Sequence, residues 1–138
     1  MKPKVLFLCT GNSCRSQMAE GFLRHRAGDQ FEVASAGTHP STLNSEAVEA
    51  MREVGIDISI HRSKGIGELL GQHFNYVITV CGRAKESCPI FPGATYQYHW
   101  PFDDPAAAKG SSEERKAVFR RVRDEIAQRI REFIDELR

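Results

Sequence analysis

Residues 5–15 read VLFLCTGNSCR, and this stretch decides the fold. Its first part, Val5 to Leu8, is a continuous run of large apolar side chains, typical of a strand buried on both faces of a parallel sheet. A polar loop follows, and the segment from Arg15 to Arg26 then carries apolar side chains at helical spacing. The stretch therefore predicts a βα unit whose loop lies at the carboxyl end of its strand.

Three further strands and two further helices are predicted outside this unit. The strands are expected at Phe31–Ala34, Tyr76–Val80 and Thr95–Tyr98. One helix is capped by Asn44, carries an apolar stripe to Val54 and stops at Gly55; the other starts with a capping box of Ser111 and Glu114 and carries its stripe to Leu137. Alternating strands and helices predict an α/β fold: a four-stranded, mainly parallel sheet flanked by helices in three layers, with ligand beyond the carboxyl ends of the strands.

Length and composition predict a single domain over residues 1–138. The chain has 138 residues, of which 41% are hydrophobic, and its 19 Lys and Arg balance 18 Asp and Glu. This balance favours neither a nucleic-acid partner nor an acidic membrane, and without an obvious exposed apolar stripe we expect a monomer. Because no apolar run is long enough for a signal peptide or a membrane span, the expected location is the cytoplasm, where cysteines are reduced, catalytic or metal-bound.

The loop after the first strand predicts an anion site. Cys9 and Arg15 are separated by five residues at a strand-to-helix turn, where a helix N-terminus and a guanidinium can lower a cysteine pKa to about 3.5–7.5. Gly11 and Asn12 tolerate positive φ, so successive backbone N–H groups can turn inward around an anion. The predicted ligand is a tetrahedral oxyanion, bound by residues Thr10, Gly11, Asn12, Ser13, Cys14, Arg15 and Ser16. The simpler interpretation is that Cys9 ends a core strand and Arg15 begins a solvated helix face.

The same loop resembles the low-molecular-weight tyrosine phosphatase superfamily, and specifically its thioredoxin-coupled arsenate reductase branch. The resemblance begins with FLCTGNSCRSQMAEG at residues 7–21 and covers nearly the whole chain. It continues through SAG at 35–37, EAMREVGIDIS at 49–59, CGRAKESCP at 81–89, HWPFDDPA at 99–106 and FRRVRDEI at 119–126. It implies arsenate as substrate, phosphate and sulfate as competing oxyanions, thioredoxin as partner and no cofactor, with Cys9 as nucleophile and Arg15 as oxyanion clamp.

Two distal cysteines, Cys81 and Cys88, distinguish a reductase from a phosphatase within this resemblance. Cys81 is expected to attack the Cys9–arsenic adduct, and Cys88 then to attack Cys81 and free Cys9. If residues 81–88 formed a regular helix, the two Cα atoms would be about 10 Å apart, whereas a disulfide tolerates about 7 Å, so oxidation is expected to unwind this segment. The alternatives are two ordinary half-buried cysteines or a zinc site, whose tight ligand spacing is missing. Cys14 is expected to be structural.

The remaining polar residues receive weaker predictions. Asp104, followed by Pro105, matches the general acid of the superfamily, although an Asp-Asp-Pro turn is the simpler interpretation. In relatives with a potassium site, Asn12, Glu20 and Ser35 would match three ligands, and Lys64 is expected to replace the cation near them. The sequence predicts packing for His99 and Trp100, surface positions for His25, His39, His61 and His73, and no metal site.

These observations favour reduction of arsenate to arsenite through Cys9, Cys81 and Cys88, with Arg15 holding the oxyanion and Asp104 assisting proton transfer. A second hypothesis is a phosphatase acting on aryl phosphate or phosphotyrosine, in which Cys81 and Cys88 only protect the nucleophile. A third is a binding module that senses oxyanion or redox state without turnover.

Overall fold

A computed structural model describes residues 2–81 and 91–137. The strands in this part of the chain are β1 (Lys4–Cys9), β2 (Glu32–Gly37), β3 (Phe74–Thr79) and β4 (Ala94–His99), and the helices are α1 (Arg15–Ala27), α2 (Ser45–Arg52) and α3 (Ser112–Glu136). Two short 3₁₀-helices, Ile66–Leu69 and Pro105–Ala107, complete the regular structure. Every predicted strand and helix is confirmed, with ends that differ by up to three residues.

The four strands form one parallel sheet in the order β2-β1-β3-β4. In the register of the sheet, Leu8 of β1 lies beside Ala36 of β2 and Thr79 of β3. The carboxyl ends of these three strands therefore meet at one edge, as parallel pairing requires. This confirms the predicted fold class.

Alternate residues of β1 serve the two faces of the sheet. Val5, Phe7 and Cys9 belong to the larger core cluster, to which all three α-helices contribute. Leu6 and Leu8 belong to a smaller cluster on the other face, which Leu69, Phe74 and Phe91 cover. Both faces of β1 are thus buried, which explains why its sequence is a continuous apolar run.

The caps of α2 and α3 match the predictions made from the sequence. The side chain of Asn44 accepts hydrogen bonds from two backbone N–H groups of α2, and Ser111 and Glu114 form the predicted capping box of α3. The predicted stop of α2 at Gly55 is confirmed. The regular helix ends at Arg52, and Gly55 follows it with φ +81°. The N–H of Gly55 donates to the Arg52 carbonyl and the N–H of Ile56 donates to the Met51 carbonyl, both at 3.0 Å, which is the usual pattern of a glycine helix stop. Val54 consequently lies off the buried stripe and is 43% exposed.

The end of α3 also departs from the predicted stripe, because Leu137 is 41% exposed just past the last turn.

Within the described ranges, none of the helices combines the length and apolarity that crossing a bilayer would require.

Candidate active site

The loop between β1 and α1 lies at the edge of the sheet where the strands end. Asn12 has φ 49° and is the one non-glycine residue of the described ranges in the left-handed region, whereas the φ of Gly11 is not positive. Of the two residues expected to tolerate positive φ, Asn12 adopts it and Gly11 does not. A left-handed residue within a turn re-aims consecutive N–H groups toward a common point, which is the geometry of an anion nest.

Gly37, at the end of β2, packs directly beneath this loop. A Cβ atom at position 37 would overlap the carbonyl oxygen of Thr10 and lie 2.9 Å from the backbone nitrogen of Asn12. Only glycine lets the strand approach so closely. Gly37, the last residue of the SAG triplet, thus allows the end of β2 to pack directly against the loop.

Neighbouring loops hold the backbone carbonyls of the anion loop. The N–H of His39 donates to the Thr10 carbonyl at 2.8 Å, and the N–H of Asn44 donates to the Ser13 carbonyl at 3.0 Å. The Gly11 carbonyl accepts from the N–H of Ser41 at 3.0 Å and from the hydroxyl of Ser63 at 2.8 Å. These carbonyl oxygens are therefore occupied by donors from neighbouring loops. The backbone N–H groups of the anion loop are the polar groups left to face an anion.

Cys9 ends β1 and is almost fully buried, with 2% of its surface exposed. Its Sγ lies 2.9 Å from Oγ of Ser16, which in turn accepts a hydrogen bond from Nδ2 of Asn12 at 2.8 Å. Because the Ser16 oxygen already accepts from Asn12, its hydroxyl hydrogen is available to the sulfur. The arrangement places a hydroxyl donor against the Cys9 sulfur at the N-terminus of α1.

Arg15 and Asp104, far apart in sequence, lie together beside the loop. The Arg15 side chain is buried, donates from Nη1 to the Phe102 carbonyl at 3.2 Å, and has Nη2 3.8 Å from Oδ2 of Asp104. Asp104 is 38% exposed in its side chain and also caps the short helix Pro105–Ala107 by accepting from the N–H of Ala106. The structure therefore brings a guanidinium and a partly solvated carboxyl group to the same side of the loop.

Cys14 lies inside the loop and is 3% exposed. Burial in apolar surroundings, reinforced by the nearby Asp104 carboxylate, raises the pKa of this thiol to about 12. A thiol with such a pKa stays protonated at neutral pH and is a poor nucleophile. This agrees with its expected structural role.

Cys81 follows the end of β3 and is fully buried. Its Sγ lies 4.0 Å from the carbonyl oxygen of Leu8, the residue before Cys9, and its own carbonyl accepts from the N–H of Phe102 at 3.3 Å. Cys9 and Cys81 belong to the same core cluster, at the ends of neighbouring strands. Cys88 and the expected unwinding of its segment lie outside the described residues.

A buried polar network beneath the loop was only partly anticipated from the sequence. Glu20 accepts from the hydroxyl of Ser35 at 2.5 Å and forms an ion pair with Arg24 at 2.7 Å. Lys64 contacts Asn12 through its backbone N–H at 2.9 Å. The expectation that the Lys64 ammonium stands beside Glu20 is therefore corrected, because Arg24, one helical turn after Glu20, supplies that charge.

The histidines divide into two groups. His25, His39 and His73 are exposed, as predicted, whereas His61 is half-buried, so its predicted surface position is wrong. His99 is exposed as well, so its predicted packing is wrong, although its Nδ1 lies 2.7 Å from the Thr79 hydroxyl. Trp100 packs against Phe7 and Phe133, as predicted. Over residues 2–81 and 91–137, no three His, Cys, Asp or Glu side chains gather as ligands of a metal ion.

Gln17 is a further polar residue beside the loop, and no pattern in the sequence singles it out. It is fully buried, and its side-chain nitrogen lies 3.1 Å from both the backbone oxygen and Oδ1 of Asn12. A glutamine in the first turn of a helix is ordinary in sequence terms, so only its position against Asn12 reveals it.

Comparison with known proteins identifies relatives along almost the whole chain. The family model of low molecular weight phosphotyrosine protein phosphatase matches residues 4–138. An arsenate reductase of Shouchella clausii is 53% identical over 97% of this chain and 96% of its own length, and an arsenate reductase of Bacillus subtilis is 50% identical over 98% of both.

Solved structures agree with these sequence relatives. An arsenate reductase in a phosphate-binding state superposes with a TM-score of 0.84 at 34% identity and covers 100% of both chains. A thioredoxin-dependent arsenate reductase of Corynebacterium glutamicum gives 0.73 at 31% identity over 98% of this chain and 61% of its own. A low molecular weight protein tyrosine phosphatase of T. tengcongensis also gives 0.73, at 26% identity, over 98% of this chain and 99% of its own.

Proposed function

This chain belongs to the low-molecular-weight phosphotyrosine protein phosphatase family, and we propose that it works there as an arsenate reductase. One observation carries the proposal: Cys81 lies at the end of β3, against the Leu8 carbonyl, beside the strand that ends in Cys9. A phosphatase of this kind needs one nucleophilic sulfur, whereas a two-electron reductase needs a second thiol near the first. The names of the sequence relatives support the same conclusion.

The anion loop is proposed to bind arsenate, with phosphate and sulfate as competing oxyanions. The backbone N–H groups of residues 10–16 and the planar donors of the Arg15 guanidinium are proposed to bind the oxygens of a tetrahedral oxyanion. Arg15 is already held beside the loop by the Phe102 carbonyl and Asp104. The phosphate-binding state of a structural relative supports this choice of ligand.

In the first step, the Cys9 thiolate attacks arsenic and displaces one oxygen, forming a covalent sulfur–arsenic bond. The hydroxyl of Ser16 stabilises the attacking thiolate, and Asp104 donates a proton to the departing oxygen, which leaves as water. Asp104 fits this role because its carboxyl group lies beside Arg15 while remaining partly in contact with solvent.

In the second step, the Cys81 thiolate attacks the sulfur of Cys9. The sulfur–arsenic bond breaks, its electron pair remains on arsenic, and arsenite departs, so arsenic gains two electrons while two thiols become a disulfide. Cys88 then attacks Cys81 and releases Cys9 as a thiolate. The dithiol of thioredoxin is proposed to reduce the resulting Cys81–Cys88 disulfide, as the thioredoxin-dependent structural relative suggests. No cofactor enters this scheme.

A coupled assay tests the proposal. With thioredoxin, its reductase and NADPH, the protein is expected to oxidise NADPH only when arsenate is added, and Cys81→Ser and Cys88→Ser are each expected to abolish that turnover. His73→Ala serves as control, because His73 is exposed and precedes β3 at the opposite end of the strand from Cys81. Turnover retained in Cys81→Ser would refute the relay.

A second candidate function is hydrolysis of small aryl phosphates, favoured by the placement of Asp104 beside Arg15. Hydrolysis needs Cys9, Arg15 and Asp104 but no second thiol. Cys81→Ser is therefore expected to keep any aryl phosphatase activity while losing arsenate reduction. If both activities are lost together, the variant has lost its fold, which circular dichroism checks.

We also propose action in the cytoplasm as a monomeric single domain, since the scheme needs free thiols and one copy of the chain. Sedimentation equilibrium at micromolar concentration tests the oligomeric state.

A further inference from the structure

The first turn of α3 carries an arginine, Arg115, that no step of the proposed cycle uses. Its guanidinium binds the carboxylate of Glu46 in α2 through two nitrogens, with Nε 3.2 Å from Oε2 and Nη2 2.5 Å from Oε1. The third nitrogen, Nη1, donates to the backbone carbonyl of Ala108. Both charged side chains are partly buried, with 28% of Arg115 and 34% of Glu46 exposed. Arg115 therefore joins α2 to the segment that precedes α3.

The bidentate pair fixes the direction of the third nitrogen. A guanidinium is planar, so a carboxylate bound along one edge leaves the remaining N–H groups pointing in set directions. Nη1 of Arg115 points to Ala108 in this way. A lysine has one nitrogen on a flexible stem and could not hold Glu46 and Ala108 in fixed directions together. The bond to Ala108 is thus a well-defined tether.

The tethered segment, residues 104–108, is one compact turn that begins at Asp104. Oδ1 of Asp104 accepts from the N–H of Ala106 at 3.0 Å, and the Asp104 carbonyl accepts from the N–H of Ala107 at 3.1 Å. The N–H of Ala108 donates to the Pro105 carbonyl, also at 3.1 Å. Because these short-range bonds link the start of the turn to its end, holding Ala108 also holds Asp104.

Asp104 depends on this turn because its own contact with the anion site is loose. Oδ2 of Asp104 lies 3.8 Å from Nη2 of Arg15, which is beyond hydrogen-bond distance, and the Asp104 side chain is 38% exposed. The preceding residue, Asp103, pairs with Arg121 of α3, but both side chains are exposed, and exposed pairs contribute little. The backbone of the turn, and through it Arg115, therefore sets where the Asp104 carboxyl group lies.

The Glu46 side of the contact leads to the anion loop. The N–H of Glu46 donates to Oδ1 of Asn44 at 2.8 Å, within the cap of α2. The N–H of Asn44 donates in turn to the carbonyl of Ser13 in the loop at 3.0 Å. Arg115 thus connects the turn that carries Asp104 with the loop that is proposed to hold the oxyanion.

We infer that Arg115 is a positioning residue, which acts through the turn at residues 104–108 to keep the Asp104 carboxyl group beside Arg15. The inference rests on the proposed function, in which Asp104 donates a proton to the departing oxygen. Arg115 touches no reacting atom. Its effect is on the rate of arsenate turnover and not on the affinity of the loop for the oxyanion.

Arg115→Met tests this role, because methionine keeps an unbranched apolar stem but has no guanidinium. We expect kcat for arsenate in the thioredoxin-coupled assay to fall about tenfold, since a displaced acid transfers its proton less efficiently. The affinity for inorganic phosphate, titrated by calorimetry, should stay within about twofold of the wild type.

Arg120→Met is a matched control, because Arg120 also joins α3 to α2. Its guanidinium binds the Glu53 carboxylate through two nitrogens, with Nε 2.9 Å from Oε1 and Nη2 2.7 Å from Oε2. This pair makes the same kind of link between the two helices without the bond to Ala108. Arg120→Met should therefore lose stability as Arg115→Met does, but keep the wild-type kcat.

Two further measurements separate positioning from stability. Asp104→Asn can still accept in the cap of the turn but has no carboxyl proton to donate, so adding Arg115→Met to it should cause no further loss of kcat. In protein without oxyanion, amide hydrogen exchange of residues 106–108 should accelerate in Arg115→Met and stay unchanged in Arg120→Met.

Each outcome decides a separate question. If Asp104→Asn is slow while Arg115→Met is as fast as the wild type, the inference is wrong and the proposed proton donor stands. Additive losses in the double variant, or equal losses of kcat in Arg115→Met and Arg120→Met, would overturn the inference, because Arg115 would then only stabilise the fold.

A failure of the proposed function is recognised independently. If the wild type does not reduce arsenate, or if Asp104→Asn reduces it normally, the proposed function or its proton step is wrong. Hydrogen exchange then decides the inference: unchanged exchange at residues 106–108 in Arg115→Met overturns it.

Discussion

The sulfur of Cys9 lies 2.9 Å from the hydroxyl oxygen of Ser16 in the first turn of α1. This contact joins the end of a buried strand to the start of the helix that follows it. Cys14, in contrast, lies in surroundings that keep its thiol protonated at neutral pH.

Replacing Ser16 with alanine is expected to slow alkylation of Cys9 by iodoacetamide at pH 7 about tenfold. The hydroxyl is a donor to the thiolate, and a hydrogen bond to a charged group contributes about 1.5–3 kcal/mol. Peptide mass spectrometry distinguishes Cys9 from the other thiols. Ser112→Ala, at the exposed start of α3, is the control. Equal rates in Ser16→Ala and wild type would show that the contact does not activate the sulfur.

Cys14 is expected to make the protein less stable at alkaline pH. Its thiol has an ordinary pKa of 9.0 and a folded pKa raised to about 12, so above pH 9 the unfolded chain loses this proton while the folded chain keeps it. Unfolding is thereby favoured as pH rises. Between pH 8 and pH 10 the cost is about 1.4 kcal/mol of unfolding free energy.

Cys14→Ser removes this titration and puts a hydroxyl of similar size in place of the thiol. Urea unfolding at pH 8 and at pH 10 gives the unfolding free energy at each pH. Its decline between the two should be smaller in Cys14→Ser than in wild type by about 1.4 kcal/mol. Identical declines would mean that Cys14 titrates normally in the folded protein.

Glu53 is expected to lower the free energy of unfolding as the pH becomes acidic. Hydrogen bonds from Arg120 and then Arg123 hold the pKa of its carboxyl at about 2, and its ordinary value is 4.5. A lowered acidic pKa stabilises the fold above pH 4.5, and this contribution disappears as the pH falls toward 2. Glu53→Gln should therefore be less stable than wild type at pH 7 and equal to it near pH 2. Urea midpoints measure the difference, and a gap that is constant with pH would contradict the assignment.

Gly37→Ala should damage both the fold and the anion site. The added Cβ would overlap the Thr10 carbonyl and crowd the Asn12 nitrogen, and relief requires the loop to move. Overpacking of this kind costs about 1–3 kcal/mol. Gly67→Ala is a matched control, since nothing lies within 4 Å of a Cβ there. Unfolding free energy and phosphate affinity are measured together, and normal values of both in Gly37→Ala would show that the loop does not rest on this strand.

Potassium is expected to leave the melting temperature unchanged relative to sodium. The Glu20 carboxylate already has the Arg24 guanidinium at 2.7 Å, so a further cation gains little there. Calorimetric scans in matched potassium and sodium chloride test this. A rise in melting temperature with potassium alone would show that Arg24 leaves room for the ion.

The sequence predicted the parallel sheet because β1 is buried on both faces, and it predicted the caps of α2 and α3 because Asn44, Ser111 and Glu114 act within one turn of their own positions. Local patterns suffice for such features. The predicted apolar stripes of α2 and α3 were less accurate at their C-terminal ends. Val54 and Leu137 fit the apolar periodicity, yet they lie where no neighbouring element covers them.

Within the site, the strand-to-helix motif was enough to select Cys9 and Arg15 as candidates. The contact of Gln17 with His61 depends on a loop more than forty residues away folding against α1. No pattern in a single sequence predicts contacts between residues so far apart. The Glu20 to Arg24 spacing was visible as a helical pair, but its burial was not.

The peptide of Phe102 has a mechanical consequence for the proposed cycle. Its N–H binds the carbonyl of Cys81 and its C=O binds the guanidinium of Arg15, so one residue is the common anchor of both. If the proposed relay draws Cys81 away from the sheet edge, the N–H of Phe102 loses its acceptor. The same residue holds the Arg15 guanidinium through its carbonyl, so a shift of the second sulfur would reach the oxyanion clamp through one peptide unit.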